Sequence, residues 1–194
     1  PKEYPFNIFN IKNLNFGFDP RLHTENALLK LFRNPFIKLK PINENLIDLL
    51  WKRDRKINIK PFYLIKDQDA GAKLKDKLSK LNKLIKLDKA DYLFTTASEN
   101  IAWLLNIRGC DTDYSPLPNS HAFVGENKQI FLFCDLKKIN NSLRDKLNKK
   151  IKIFDFDQLS NFILKFSNKK ILIDTLTCSF FFKNLISKNN LIIE

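Results

Sequence analysis

Three polar side chains, Asn106, Arg108 and Asp111, lie close together where a helical pattern ends. Polar groups gathered at such a place are costly unless they find hydrogen-bond partners. One interpretation is structural: the Arg108 guanidinium bridges carboxylates or the last carbonyls of the helix, and so fixes the loop that follows. We then expect Arg108 to be partly buried and paired with a carboxylate, Asp111 or Asp113 being nearest in sequence. The other interpretation is that this loop helps to wall a substrate cleft.

The rest of the sequence gives little indication of a metal site or of a catalytic nucleophile. Of the two histidines, His23 follows a turn that a proline begins, and His121 begins a predicted strand. A two-metal hydrolase site needs several carboxylates and histidines that converge on one cleft, and the sequence carries no motifs of that kind. Cys110 has no nearby histidine placed to activate it as a nucleophile. We therefore predict no catalytic residue and no metal ligand in this chain.

The three cysteines, Cys110, Cys134 and Cys178, are far apart in the sequence and odd in number. There is no CxxC motif and no Cys/His ligand spacing, so the sequence predicts neither a zinc site nor a disulfide framework. Three free thiols are typical of a protein in a reducing cytoplasm. Cys178 precedes an apolar run, which favours a place in the core.

Composition sets the broad class of protein. The 194 residues suffice for one domain, or for one and part of another, and a hydrophobic share of 44% is enough for a packed core. No stretch approaches ~18 consecutive apolar residues, so we expect no membrane span. The net charge of +13 indicates either an anionic partner such as nucleic acid, or lysines spread over solvated surfaces. We favour the second, because no basic motif interleaved with aromatic residues is present.

From residue 67 onward the pattern alternates between strands and helices. A strand over Tyr92–Thr95 leads into a helix that carries Trp103, which we expect in the core. We predict that Thr96 and Glu99 form a capping box at the start of this helix, and that Gly109 ends it in a left-handed turn. A hairpin around 125–128 and two later strand–helix pairs follow, one helix being capped by Asp157. Residues 67–194 are thus predicted to form an α/β sandwich around a central mixed sheet.

Residues 1–51 are predicted to be an incomplete α/β domain. Strands are expected at 6–11 and 15–18, a helix follows, and Asn34-Pro35 stops that helix. Half a sheet leaves an unpaired edge and an uncovered apolar face, so we expect this part to be weakly ordered or paired with a second copy. The charged stretch 52–66 is predicted to be a solvated linker.

Three segments carry a resemblance to a known family. Residues 101–111 read IAWLLNIRGCD, residues 17–24 read GFDPRLHT and residues 45–51 read NLIDLLW. All three resemble, in the same order, segments of the three-domain Xaa-Pro aminopeptidases (aminopeptidase P, in the creatinase-like metallopeptidase superfamily). The linker departs from the family pattern, because Lys56 stands where proline is usual. The resemblance implies that 1–51 is the end of a creatinase-like N-terminal domain and that 67–194 is a second such domain.

The same resemblance implies a function for a longer parent protein. The parent would release the N-terminal residue from peptides with proline in second position, using two divalent metal ions, manganese being expected, in a catalytic domain that this chain lacks. It would be a cytoplasmic homodimer without a membrane or a specific nucleic-acid partner. The present region would support assembly and the substrate cleft, and would be inactive alone. The alternative is a stand-alone module that binds a peptide, a partner protein or an anionic polymer.

Overall fold

The computed structural model describes residues 13–32, 36–51, 60–147 and 151–194. The predicted strand at 6–11, the helix stop at Asn34-Pro35 and the Lys56 position lie outside the described residues. Within the described residues, no helix is both long enough and apolar enough to cross a membrane.

A six-stranded mixed sheet forms the centre of the second half of the chain, with strand order β10-β9-β4-β6-β7-β8. Its strands are β4 (Tyr92–Thr95), β6 (His121–Gly125), β7 (Ile130–Phe133), β8 (Ile151–Phe154), β9 (Lys170–Ile173) and β10 (Leu191–Ile193). Strand β4 runs parallel to β9 and antiparallel to β6, and β6 and β7 form the predicted hairpin. The prediction of a central mixed sheet is confirmed.

Helices cover both faces of this sheet. They are α3 (Asp67–Ala70), α4 (Leu74–Leu87), α5 (Ser98–Leu105), α6 (Asn141–Lys146), α7 (Leu159–Leu164) and α8 (Phe180–Ser187). Alternate residues of a strand point to opposite faces, and β6 shows the consequence: Ala122 and Val124 join one core with residues of α4 and α5, while Phe123 joins the other. Both faces of the sheet are therefore buried, as a sheet flanked by helices requires.

The second core, on the side of α7 and α8, is rich in phenylalanine. Phe94 and Phe123 stack with ring centroids 4.5 Å apart, and Phe162 meets Phe133 at 5.1 Å. Buried Cys178 lies in the same cluster, which confirms its predicted place in the core. Much of the aromatic content of the sequence is thus used to fill one side of the sheet.

The first part of the chain forms a small unit that packs on the second. Its elements are β1 (Leu14–Phe18), α1 (Glu25–Leu31), β2 (Ile37–Pro41) and α2 (Leu46–Leu50), with β1 parallel to β2. Phe18 meets Phe180 of α8 with ring centroids 5.2 Å apart, and Glu25 Oε2 lies 2.5 Å from Lys183 Nζ. We expected this part to be weakly ordered or paired with a second copy; the structure places it against α8 of the same chain.

Helix α2 exposes its apolar side chains. Leu46, Ile47, Leu49, Leu50 and Trp51 are each at least 58% exposed, and no residue of the helix is buried. The described residues therefore leave this apolar face exposed.

The described end of the predicted linker requires a correction. Phe62 is only 1% exposed and donates its backbone N–H to the Lys138 carbonyl at 2.9 Å. Two further strands, β3 (Tyr63–Leu64) and β5 (Ile107–Arg108), pair antiparallel. Phe62 and strand β3 thus pack on the part of the chain that follows, because Phe62 is apolar and β3 finds a partner strand, so a solvated linker does not extend through these residues.

One predicted cap also requires a correction. Asp157 was expected to cap α7, but Asp155 caps the 3-10 turn before it. The Asp155 side chain accepts from the Asp157 N–H at 3.2 Å, and Gln158 Oε1 accepts from the Asp155 N–H at 3.1 Å. The chain turns two residues earlier than the helical pattern indicates, so the carboxylate nearest that turn becomes the cap.

Candidate functional site

The three predicted site residues follow helix α5, whose two ends differ from the predicted ones. The helix begins after Ala97 without a side-chain cap, and the Thr96 hydroxyl donates to the Thr177 carbonyl at 2.9 Å instead. It ends at Asn106, which is left-handed with φ 55°, and not at Gly109. Asparagine tolerates this conformation better than other residues with a Cβ, so Asn106 is the residue that turns the chain toward β5.

Asn106 joins α5 to the segment that leads into α4. Its side chain is buried at 4% exposure; Oδ1 accepts from Lys77 Nζ, and Nδ2 donates to the Ala72 carbonyl at 3.1 Å and to Asp67 Oδ1 at 3.3 Å. One amide thus satisfies three groups that are separated from it by 29 to 39 residues. This arrangement gives Asn106 a structural task.

Lys77 is a buried cation that the sequence analysis missed. It is 2% exposed; Nζ donates to the Trp103 carbonyl near the end of α5 and lies 4.6 Å from the Trp103 ring centroid. Burial lowers its pKa, the positive charge of Arg108 lowers it further, and Asp67 opposes both effects. The helical spacing of the sequence could have indicated this burial, because Lys77 falls on the apolar face of α4 between Leu74 and Leu81. A lysine at such a position needs a hydrogen-bond partner.

Arg108 contacts carbonyl oxygens. Its Nη1 donates to the Ala102 carbonyl at 3.0 Å and to the Ile107 carbonyl at 2.8 Å, and the residue is half-buried. Within the described residues it forms no ion pair, so the expected pairing with Asp111 or Asp113 is wrong. The guanidinium instead donates to one carbonyl in the last turn of α5, which the structural interpretation offered as its other choice, and to one in β5.

Asp111 pairs with Lys138, which lies 27 residues away in sequence. The two side chains are 7% and 10% exposed, and Asp111 Oδ2 also accepts from the Asn119 N–H at 2.7 Å. The carboxylate therefore ties both ends of residues 109–120 together and fastens them to the body of the domain. We call this segment the 109–120 loop.

Gly109 allows the 109–120 loop to close on itself. A Cβ at this position would lie 2.8 Å from both the Leu117 carbonyl oxygen and the Pro118 Cα, and these backbone atoms cannot move independently of the loop. The Gly109 N–H also donates to the Pro116 carbonyl at 3.2 Å. Glycine is needed here for close approach of two backbone segments, and not for the predicted left-handed turn.

The tip of the 109–120 loop presents an aromatic side chain to solvent. Tyr114 is fully exposed, and its φ of 61° is uncommon for an aromatic residue. An open cleft beside it is lined by Tyr63, Cys110 and residues 112–116. Tyrosine is enriched among the contact residues that dominate binding at protein interfaces, so an exposed tyrosine on a loop held in place is suited to binding.

Trp103, expected in the core, is 55% exposed. Ile101, Leu104 and Leu105 form the buried face of α5, and Trp103 lies off that face of a helix with 3.6 residues per turn. The helical spacing of these apolar neighbours was the signal that should have placed it outside.

The two histidines lie among aromatic rings. His23 packs near Phe18 with ring centroids 6.3 Å apart, whereas His121 lies between Phe156 at 5.3 Å and Phe182 at 5.4 Å. Among the described residues, no three His, Cys, Asp or Glu side chains are grouped so that they could hold a metal ion.

We expect His121 to make stability depend on pH. Burial lowers its pKa below the ordinary value of 6.5, partly offset by hydrogen bonds to backbone groups. Because the unfolded chain then binds the proton more readily than the folded protein, the free energy of unfolding should fall as the pH drops below about 6.5. Urea titrations between pH 7.5 and 5 measure this slope, and His121→Phe should reduce it. An unchanged slope in His121→Phe would contradict the assignment.

Arg108→Ala should lower the free energy of unfolding by about 1–2 kcal/mol, because a charged donor to two carbonyls is lost from a half-buried site. Urea denaturation of the chain measures this effect, with Arg144→Ala on the exposed side of α6 as the control. If the variant leaves stability unchanged but lowers turnover of a full-length enzyme, the cleft-wall interpretation is favoured.

Comparisons with known proteins show which proteins the chain resembles. Residues 53–194 match the profile of the creatinase/prolidase N-terminal domain. The chain is 29% identical over 155 residues to a probable Xaa-Pro aminopeptidase P of Coprinopsis cinerea, covering 78% of this chain and 25% of the relative. It is 32% identical over 136 residues to the Xaa-Pro aminopeptidase app-1 of Caenorhabditis elegans, covering 69% and 22%. It spans about a quarter of the length of these curated relatives.

A solved structure shares the fold. The X-prolyl aminopeptidase of Caenorhabditis elegans, a cytosolic enzyme with a di-nuclear active site, superposes with a TM-score of 0.83. The match covers 95% of this chain and 32% of that one at 24% identity. The likeness extends through the small first unit as well as the six-stranded sheet.

Proposed function

The chain belongs to the creatinase/prolidase N-terminal domain family, and on that premise we propose that it is the non-catalytic N-terminal region of a metal-dependent Xaa-Pro aminopeptidase. The observation that carries the proposal is the similarity to Xaa-Pro aminopeptidases over 69% to 78% of the chain. These relatives confirm the predicted resemblance to Xaa-Pro aminopeptidases.

The proposed parent enzyme is cytoplasmic and homodimeric, and removes the N-terminal residue from peptides with proline in second position. Two divalent metal ions, manganese in this proposal, would activate the attacking water. The described residues of this chain do not fit such a centre, since they hold no suitable group of ligands. We therefore assign the metal ions to a catalytic domain outside these residues.

In this proposal the chain has two domain parts, 1–51 and 67–194, joined by 52–66, of which Phe62 and β3 pack on the second part. The second part supports the substrate cleft through the 109–120 loop. Two observations favour this role: the loop is braced by Gly109 and by the Asp111–Lys138 pair, and it exposes Tyr114 at its tip. A braced loop can hold a contact residue in one place at little entropic cost on binding.

The purified chain alone should show no Xaa-Pro aminopeptidase activity, with or without Mn²⁺. Release of alanine from Ala-Pro-Ala is the assay, and the product of the complete gene is the comparison. Activity of the complete product that a chelator abolishes, with none in the chain, supports the proposal. Chelator-sensitive cleavage by the chain itself would overturn it.

A stand-alone binding module is the second candidate, and the net charge of +13 favours it. Helix α4 and its N-terminal flank expose Lys73, Lys75, Lys80, Lys83 and Lys86. Binding driven by such lysines alone rests on counterion release and weakens steeply with salt. Selective binding of an anionic polymer that persists at physiological salt, together with an inactive complete gene product, would favour this candidate.

A further inference from the structure

A second site lies away from the 109–120 loop, where the parallel strands β4 and β9 end. A crevice of about 180 Å³ opens there between the sheet, α4 and α5. Its apolar walls include Leu81, Leu93 and Leu104, Trp103 lies at its rim, and Thr95 and Asp174 line it at the strand ends. In open α/β sheets, the carboxyl ends of parallel strands are a recurrent place for ligands. We call this feature the β4/β9 crevice.

Thr95 is an unusual lining residue. It is 8% exposed, and its hydroxyl has no hydrogen-bond partner; among the described residues, no other buried side-chain nitrogen or oxygen lacks one. Buried polar groups are normally paired, and an exception calls for an explanation such as a ligand or catalytic role. A group that enters the β4/β9 crevice could supply the missing partner.

Asp174 lies beside Thr95 on the same face of the sheet. The register pairs Leu93 with Leu172 and Phe94 with Ile173, so the next step brings Thr95 next to Asp174. Neighbouring strands are about 4.8 Å apart, a separation that one hydroxyl group can bridge. The Asp174 carboxylate is held in place by the Leu176 N–H at 2.9 Å and the Thr177 hydroxyl at 3.0 Å. Within the described residues no cation pairs with it, so it can accept a further hydrogen bond.

The charged groups around the β4/β9 crevice restrict the kind of ligand that it can bind. An anion would be repelled by Asp174. A cation is disfavoured by the net charge of +13 and by the Lys77 ammonium, which lies 4.6 Å from the Trp103 ring centroid. The occupant is therefore neutral, with an apolar body and a group that both donates and accepts. A cavity of about 150 Å³ suffices for benzene, so the volume suits one aromatic ring.

We propose that the β4/β9 crevice binds the tyrosine side chain of a partner polypeptide. The phenol hydroxyl accepts from Thr95 and donates to Asp174, while the ring packs on Leu81, Leu104 and Trp103. The Thr95 oxygen is covered in the structure, so binding requires a side-chain movement at the rim, where Trp103 is exposed. A polypeptide fits better than a free phenol, because the backbone that flanks the tyrosine would cover the indole. This inference does not depend on the peptidase proposal.

The test follows the Trp103 indole N–H by NMR in the chain carrying Trp51→Phe. The ligands are N-acetylated, C-amidated Ala-Tyr-Ala, the matched Ala-Phe-Ala that lacks only the hydroxyl, and p-cresol. The tyrosine peptide should give a saturable shift, with a Kd about tenfold lower than that of the phenylalanine peptide. A tenfold ratio of the two Kd values corresponds to about 1.4 kcal/mol, which is the contribution expected of one hydrogen bond. Equal affinities of the two peptides, or no shift with either, would overturn the proposal.

Variants separate the hydrogen bonds from the apolar contacts. Thr95→Val keeps the shape of the side chain and loses no hydrogen bond of the folded protein, so it should fold and should remove the preference for tyrosine over phenylalanine. Thr112→Val on the exposed part of the 109–120 loop is the matched control and should keep the preference. If Thr95→Val still prefers the tyrosine peptide, the assignment of Thr95 is contradicted. If p-cresol binds but the tyrosine peptide does not, the occupant is a free phenol and not a polypeptide.

Discussion

Replacing Asn106 with alanine is expected to lower the free energy of unfolding by about 3 kcal/mol. The amide accepts from the buried Lys77 ammonium and donates to Ala72 and Asp67, so its removal leaves a buried charge and a part-buried carbonyl with fewer partners. Of this loss, about 1 kcal/mol comes from the left-handed backbone, with φ 55°, which alanine disfavours. For a chain of this size the melting temperature should fall by roughly 6–12 °C.

Asn106→Gly is the matched control, because it removes the same amide but accepts the left-handed backbone without strain. It should be less destabilising than Asn106→Ala, and the difference is the backbone strain less the larger conformational entropy that glycine loses on folding. Urea denaturation of both variants gives the two values. A loss below about 1 kcal/mol in Asn106→Ala would mean that water replaces the amide, and that the network around Lys77 is not what holds α5 to α4.

The sequence was a good guide to the elements and a poor guide to their ends. Strand β4, the β6–β7 hairpin and helix α5 were predicted from periodicity, because burial of an apolar face is a property of many residues together. The caps failed because each depends on one contact. Thr96 was predicted to cap α5, but its hydroxyl donates to the Thr177 carbonyl, which is 81 residues away in sequence. Local spacing carries no information about such a partner.

The same contrast holds for the candidate site. Asn106, Arg108 and Asp111 were recognised as a group because they are close in sequence, but their partners are not. Lys77 and Lys138 come from 29 residues before and 27 residues after the residues they contact. In the fold, Asp111 therefore pairs with a lysine that is distant in sequence, and Arg108 donates to the carbonyls of Ala102 in α5 and of Ile107 in its own strand β5.

Lys138→Met should be the most destabilising change near the 109–120 loop, with a loss of about 3–5 kcal/mol. Removing the ammonium leaves the Asp111 carboxylate, 7% exposed, without its counter-charge, while the methionine keeps most of the apolar stem. Lys137→Met is the matched control, because Lys137 is the exposed neighbour in the same 3-10 helix, and it should change stability by less than about 0.5 kcal/mol.

The double variant Lys138→Met with Asp111→Asn decides whether the loss comes from the stranded charge. Removing the buried charge as well should recover part of the stability, because the cost lies in the unpaired carboxylate and not in the missing attraction. The coupling energy from urea denaturation of the two single variants and the double variant is the measurement. A double variant as unstable as the sum of the single variants would show that the two side chains act independently. In that case Gly109 and the backbone hydrogen bonds would be what stabilises the conformation of the 109–120 loop. The proposed role of the loop in a substrate cleft would then depend on those contacts and not on the Asp111–Lys138 pair.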